Sequence, residues 1–247
     1  MNRVIKSAVL CISFFLVACG GSSNTEQQAT TSSPATPTPP EVTTPATSVI
    51  YQLTFTRSWQ SSSFPTNFPS NSHFSPVVGL THSQPNALFE LDALASQGII
   101  SMAETGSKTA LKNEISTIQN QGGSNYLIDE GGISGNATSV TMTFEASQTF
   151  PLLTVVSMVA PSPDWFVAIN SLPLFNNNTW LQNQTIQLKV YDAGSDSGQR
   201  FSSANLATAP PEKITLLTSE RADSDFDLGV HFTTNAHIGF IEIKLLE

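Results

Sequence analysis

The sequence predicts a mostly β protein, an antiparallel sandwich of about 200 residues with one or two helices inside a long connection. Two observations carry that reading. Four segments alternate apolar and polar residues with a period of two, and two more are short apolar runs. Helical spacing, in contrast, appears mainly at Leu111, Ile115 and Ile118, inside the chain.

Tyr51, Leu53 and Phe55 alternate with Gln52, Thr54 and Thr56, as in a strand with one face buried. Val140, Met142 and Phe144 repeat the pattern with Thr141, Thr143 and Glu145. Ile186, Leu188 and Val190 alternate with Gln187 and Lys189, and Ile241, Ile243 and Leu245 with Glu242 and Lys244. Leu152–Val159, broken only by Thr154 and Ser157, and Phe166–Ile169 are short apolar runs without alternation, which suit strands covered on both faces. Leu111, Ile115 and Ile118 have helical spacing, and Gly122-Gly123 supplies a stop. A second helix is expected near Ala87–Ser96.

Three segments divide the chain: 1–18, 19–47 and 48–247. Arg3 and Lys6 precede an apolar run from Ser7 to Ala18, too short for the roughly 20 residues that span a bilayer and suited to a signal peptide. The run ends Leu16-Val17-Ala18-Cys19-Gly20, which resembles the lipobox of bacterial lipoproteins. That resemblance implies cleavage before Cys19 and lipid (palmitate among the acyl chains) on its thiol and amine. Several acyl chains anchor a protein firmly to a membrane, since each buried methylene contributes about 0.8 kcal/mol. Gly20 follows, not the Asp of an inner-membrane retention signal, so the outer membrane of a diderm bacterium is the expected location. Residues 20–47 are rich in Ser, Thr and Pro and contain no aromatic residue, the composition of a disordered tether.

Charge narrows the function. With 10 Lys and Arg against 19 Asp and Glu the formal charge is −9, which disfavours nucleic acid as a partner. Only 12% of residues are charged. Both cysteines, Cys11 and Cys19, lie at the start, so residues 48–247 hold neither a disulfide nor a thiolate metal site. No G-x-S-x-G elbow is present; Gly132-Ile133-Ser134-Gly135 is the nearest miss. His73, His82, His231 and His237 form no close pair of zinc ligands, and His82, between Thr81 and Ser83, is the best placed of them for catalysis. A surface hydrolase acting on polysaccharide or lipid is therefore the alternative reading, and a non-enzymatic module the preferred one. A histidine meeting a carboxylate and a hydroxyl in one cleft separates the two.

Two loops gather carboxylates in this charge-poor chain. One is Pro161-Ser162-Pro163-Asp164-Trp165-Phe166-Val167, and the other is Tyr191-Asp192-Ala193-Gly194-Ser195-Asp196-Ser197-Gly198. Pro, Asp, Ser and Gly are turn formers, so turn chemistry alone accounts for either loop. Together they offer hard oxygen ligands suited to calcium. Asp223-Ser224-Asp225-Phe226-Asp227 resembles the start of an EF-hand, but Leu228 and Thr234 stand where that loop needs Gly and Glu.

These two loops, with Ser171-Leu172 and Trp180 between them, resemble the spondin-type domain at the N-terminal side of F-spondin and mindin. Weaker matches are Trp59, Phe64-Pro65, Phe68-Pro69, His73-Phe74-Ser75-Pro76, Gly79 with His82-Ser83, and Ala103-Glu104-Thr105-Gly106. The resemblance covers roughly Val49–Glu247. It implies a β-sandwich similar to calcium- and phospholipid-binding domains, an adhesion or recognition role, and a calcium ion at one end of the sandwich. Carried onto this sequence, it implies Glu145, Asp164 and Asp192 as ligands, with Asp196 a further candidate. Ala168 departs from the family's usual Gly, and the family's cysteines and thrombospondin-type repeats are absent from this sequence, so integrin or matrix binding does not transfer. The expected partner is an envelope or surface protein or glycan.

Overall fold

A computed structural model describes residues 45–217, 231, 233 and 237–246. The elements in chain order are β1 (Ser48–Arg57), β2 (His73–Phe74), β3 (Val78–His82), α1 (Gln97–Thr105), α2 (Thr109–Asn120), β4 (Ser124–Asp129), β5 (Ser139–Ser147), β6 (Leu152–Ala160), β7 (Trp165–Pro173), β8 (Phe175–Asn176), β9 (Thr179–Trp180), β10 (Asn183–Gln187), β11 (Lys189–Asp192), β12 (Thr215–Leu216) and β13 (Gly239–Leu245). Cys19, the tether up to residue 44 and the EF-hand-like stretch Asp223–Asp227 lie outside the described residues.

The predicted alternation becomes one wall of a sandwich. β10, β13, β1 and β5 form a four-stranded antiparallel sheet. Tyr51, Leu53 and Phe55 of β1, Met142 and Phe144 of β5, and Ile241 and Ile243 of β13 face inward and are buried. The second sheet runs β12-β11-β7-β6-β3-β4, with β2 beside β6. Its central strands serve two cores. Leu153, Val155 and Val159 of β6, with Trp165, Val167 and Ile169 of β7, meet the four-stranded sheet. The alternate residues Val156, Met158, Phe166 and Ala168 meet a second core. That core is closed by Ile99, Met102 and Ala103 of α1 and Leu111 and Ile115 of α2. Coverage on both faces is why these strands read as apolar runs without alternation.

Two sequence expectations change. Ala87–Ser96 is not a helix: Asn86 and Asp92 have φ of 59° and 63°, a backbone no helix accepts. Leu88 and Phe89 instead pack onto the second core, Phe89 edge-on to Phe166 and Tyr191. Ser96 is the N-cap of α1, its hydroxyl accepting from the Ile99 amide. The alternating stretch Ile186–Val190 is not one strand. β10 pairs with β13 of the first sheet, while β11 pairs with β7 of the second. The chain changes sheets at Leu188, whose amide donates to Gly239. Alternation survives the crossing because Ile186, Leu188 and Val190 all face the space between the sheets.

Candidate functional site

β6 and β7 are joined by the Pro161–Asp164 turn, and the Ser162 hydroxyl accepts from the Trp165 amide to close it. β7 then pairs with β11, setting Trp165 opposite Asp192. This register brings Asp164, at the start of one strand, beside the end of the other. The Ala193 amide donates to the Asp164 carbonyl at 3.2 Å.

Asp164 is fully buried and Asp196 nearly so. One Asp164 oxygen, Oδ2, accepts from the Ser195 amide (2.7 Å), the Ser195 hydroxyl (3.2 Å) and the Asp196 amide (3.1 Å). The other, Oδ1, is buried and has no hydrogen-bond partner. Burial, then the Asp192 charge, push the Asp164 carboxyl up to about 7, with the Ser195 and Asp196 donors pulling against them. A buried carboxylate with a bare oxygen is costly, so the group calls for either a proton or a cation.

The loop after β11 is held by its own carboxylates. Asp192 Oδ1 accepts from the Gly194 amide (2.8 Å) and Asp196 Oδ1 from the Gly198 amide (2.7 Å). Asp196 Oδ2 takes the Leu206 amide at 2.8 Å. Gly194 sits at φ 72°, and a Cβ there would stand 2.4 Å from the Glu212 carbonyl, so only glycine fits. Phe201, further along, is buried against Trp59 and Trp165 and pins the loop to the sandwich core.

The structure brings Asp164, Asp192 and Asp196 into one loop pair and leaves Glu145 out. Glu145 lies inside β5, not at its end, opposite Ile50. Its carbonyl accepts from Thr81, which pairs with Leu153 near the start of β6. Asp164 follows the far end of that strand. Seven residues of β6 at about 3.3 Å each put the two acids about 20 Å apart. Between Phe144 and Ala146, which point inward, the Glu145 side chain stands on the outer face of the four-stranded sheet. The expectation that Glu145 joins Asp164 and Asp192 is therefore corrected: the alternation that puts Phe144 in the core fixes Glu145 on the opposite side.

Among the described residues, no three of His, Cys, Asp and Glu stand close enough together to hold a metal ion. What the loops offer a cation is the bare Asp164 oxygen, the adjacent Asp192 carboxylate and the loop's backbone carbonyls. All are hard oxygen donors, which fit calcium better than a transition metal. Ser195 is the residue sequence reading passed over. It gives Asp164 two donors, and its only signal was its place inside the acidic loop.

His82 lies at the other end of β6, opposite Leu152, and His73 pairs with Ala160, just before the Pro161–Asp164 turn. His82 is fully buried, its Nδ1 donating to the Gln84 carbonyl at 2.7 Å and its Nε2 accepting from the Thr154 hydroxyl at 2.8 Å. Burial pushes its imidazole below the usual histidine range, so it is neutral at pH 7. His73 Nδ1 lies 2.7 Å from the Asn71 carbonyl. Neither ring is hydrogen-bonded to a carboxylate.

Comparison with known proteins agrees with the loops and the fold. The Spondin_N family model matches residues 49–228. Spondin-2 of Homo sapiens is 32% identical over 173 residues, covering 68% of this chain and 52% of that protein. Spondin-2 of Rattus norvegicus matches to the same extent. Spondin-1 of Rattus norvegicus is 31% identical over 175 residues, covering 68% of this chain and 22% of that protein. The chain thus matches about half the length of Spondin-2 and about a fifth of Spondin-1. With a family model matched over most of its length and relatives above 30% identity, this chain belongs to the spondin N-terminal domain family.

Proposed function

We propose that this domain is a non-enzymatic recognition or adhesion module that binds calcium, tethered to the cell envelope through lipid on Cys19. The observation that carries the calcium reading is the buried Asp164, whose Oδ1 has no protein partner while Asp192 adds like charge beside it. A divalent cation relieves both at once. Asp164 and Asp192 are the proposed ligands. Asp196 orders the loop, one oxygen accepting from the Gly198 amide and the other from the Leu206 amide, and is a further candidate ligand. Backbone carbonyls and water fill the six to eight positions calcium takes. The non-enzymatic reading is supported by His82, whose two nitrogens are spent on a carbonyl and a threonine inside the fold. Membership in the spondin family supports the recognition role.

Thermal melting of the protein tests the calcium reading. Calcium at 100 times its dissociation constant is expected to stabilise the fold by about 2.7 kcal/mol. Magnesium, which demands a tight octahedron, is expected to do much less. A melting temperature that is the same in millimolar calcium and in chelator rejects the site.

A further inference from the structure

We propose that the outer face of the four-stranded sheet is a binding surface for a neutral saccharide. The inference deepens the recognition role proposed above by naming a ligand class, and it does not depend on the calcium ion.

The inward side of this sheet is the sandwich core, so the alternate residues form a single outward array. Strand register sets them in rows. Asn183, Lys244, Gln52 and Thr143 face one another across the four strands. Thr185, Glu242, Thr54 and Thr141 form the next row, and the hydroxyls of Thr54 and Thr141 lie 3.1 Å apart. Gln187, Phe240, Thr56 and Ser139 form the third. Strands about 4.8 Å apart make each row roughly 14 Å long. A shallow groove of about 260 Å³ runs over the first two rows, between Gln52 and Thr54 on one side and Asn183 and Thr185 on the other.

Its chemistry selects the ligand. The rows are hydroxyl and amide groups, which donate and accept at once and so match vicinal hydroxyls. Lys244 and Glu242 sit side by side with opposite sign, leaving the groove without net charge in a chain of −9 overall. A polyanion finds no cationic cluster there, and a further acid on this face, Glu145 opposite Ile50, lies one row beyond the groove lining. A protein partner calls for aromatic, Met or Arg anchors, and across the three rows only Phe240 is of that kind. Half-buried in the third row, one row beyond the groove and with the His237 ring edge-on at 6.2 Å, it sets an aromatic ring beside the polar groups, the pairing a sugar ring with its C–H face and its hydroxyls requires.

The test is calorimetry of the full chain against maltohexaose, cellohexaose, chitohexaose and laminarihexaose, in calcium and again in chelator. Dextran sulfate serves as the polyanion. At least one neutral hexasaccharide is expected to bind with a dissociation constant of about 1 mM or tighter. The affinity is expected to survive chelator and to fall at least tenfold in Gln52→Ala/Thr185→Ala. Phe240→Ala, made separately, is expected to weaken it as well, and an unchanged melting temperature in each variant shows the fold is intact. The proposal is overturned if none of the four binds or if only dextran sulfate does. Binding that is unchanged in both variants, or that is lost with calcium, overturns it too. Because the chelator arm isolates this face, failure of the calcium site leaves a positive saccharide result standing.

Discussion

The two ends of the seven-stranded sheet each bury an ionisable group, and they handle it in opposite ways. At the β3–β6 end, His82 is closed off by partners from within the fold. The Gln84 carbonyl accepts from its Nδ1–H, and the Thr154 hydroxyl donates to its Nε2. The Ser171 amide then donates to the Thr154 hydroxyl, so the network ends in protein. At the β7–β11 end, Asp164 receives three donors on one oxygen and none on the other. Asp192 worsens its position, where a partner would have improved it. A buried polar group with every atom satisfied is a structural device. One left half-satisfied beside a like charge is what the proposed calcium ion would relieve.

Acid titration of stability breaks the comparison most strongly. The folded Asp164 carboxyl, at about 7, lies above its unfolded value of 3.8. Its contribution is complete below pH 4 and is lost as pH rises through 7, a change of about 4 kcal/mol. His82 has the opposite sign. Its folded value lies below 6.5, so its contribution is present above that pH and falls away below it. In chelator, Asp164→Asn is expected to remove the alkaline loss and leave the acidic one, which urea melts from pH 4 to pH 8 will read. Calcium is expected to flatten the alkaline arm in the unmodified chain. An alkaline loss that persists in Asp164→Asn places its source elsewhere.

A somewhat smaller effect is expected at the other end. His82→Ala removes the partner of a buried hydroxyl and of a carbonyl and opens a void, a cost of about 3 kcal/mol. The calcium response of that variant is expected to match the unmodified chain. If the response falls with the stability, the two ends are not independent and the contrast fails.

How much of this was legible in the sequence depends on what each residue's role demands. Period-two alternation located β1, β5 and β13, because one face of each meets a core and the other meets solvent. The runs at Leu152–Val159 and Phe166–Ile169 announced strands covered twice. The same rule hid the break at Leu188. A strand that changes sheets while facing one core keeps its alternation, so only hydrogen bonding marks the crossing. The Ala87–Ser96 stretch misled because Leu88 and Phe89 are buried by a loop with positive φ at Asp92, and burial alone mimics an amphipathic helix. In the site, Asp164, Asp192 and Asp196 stood out as acids among turn formers at strand ends. Glu145 was assigned through family resemblance. Its place in the alternation already fixed it on the face away from the core, and strand pairing then set it at the other end.

The central claim is that the bare oxygen of Asp164, and not acidity in general, makes the site. Calorimetric titration of calcium into the unmodified chain, Asp164→Asn and Glu145→Gln tests it most directly. The account predicts one calcium ion bound by the unmodified chain and by Glu145→Gln with equal affinity, and at least a hundredfold weaker binding in Asp164→Asn. Equal affinity in Asp164→Asn, or a loss in Glu145→Gln as large as that in Asp164→Asn, contradicts it.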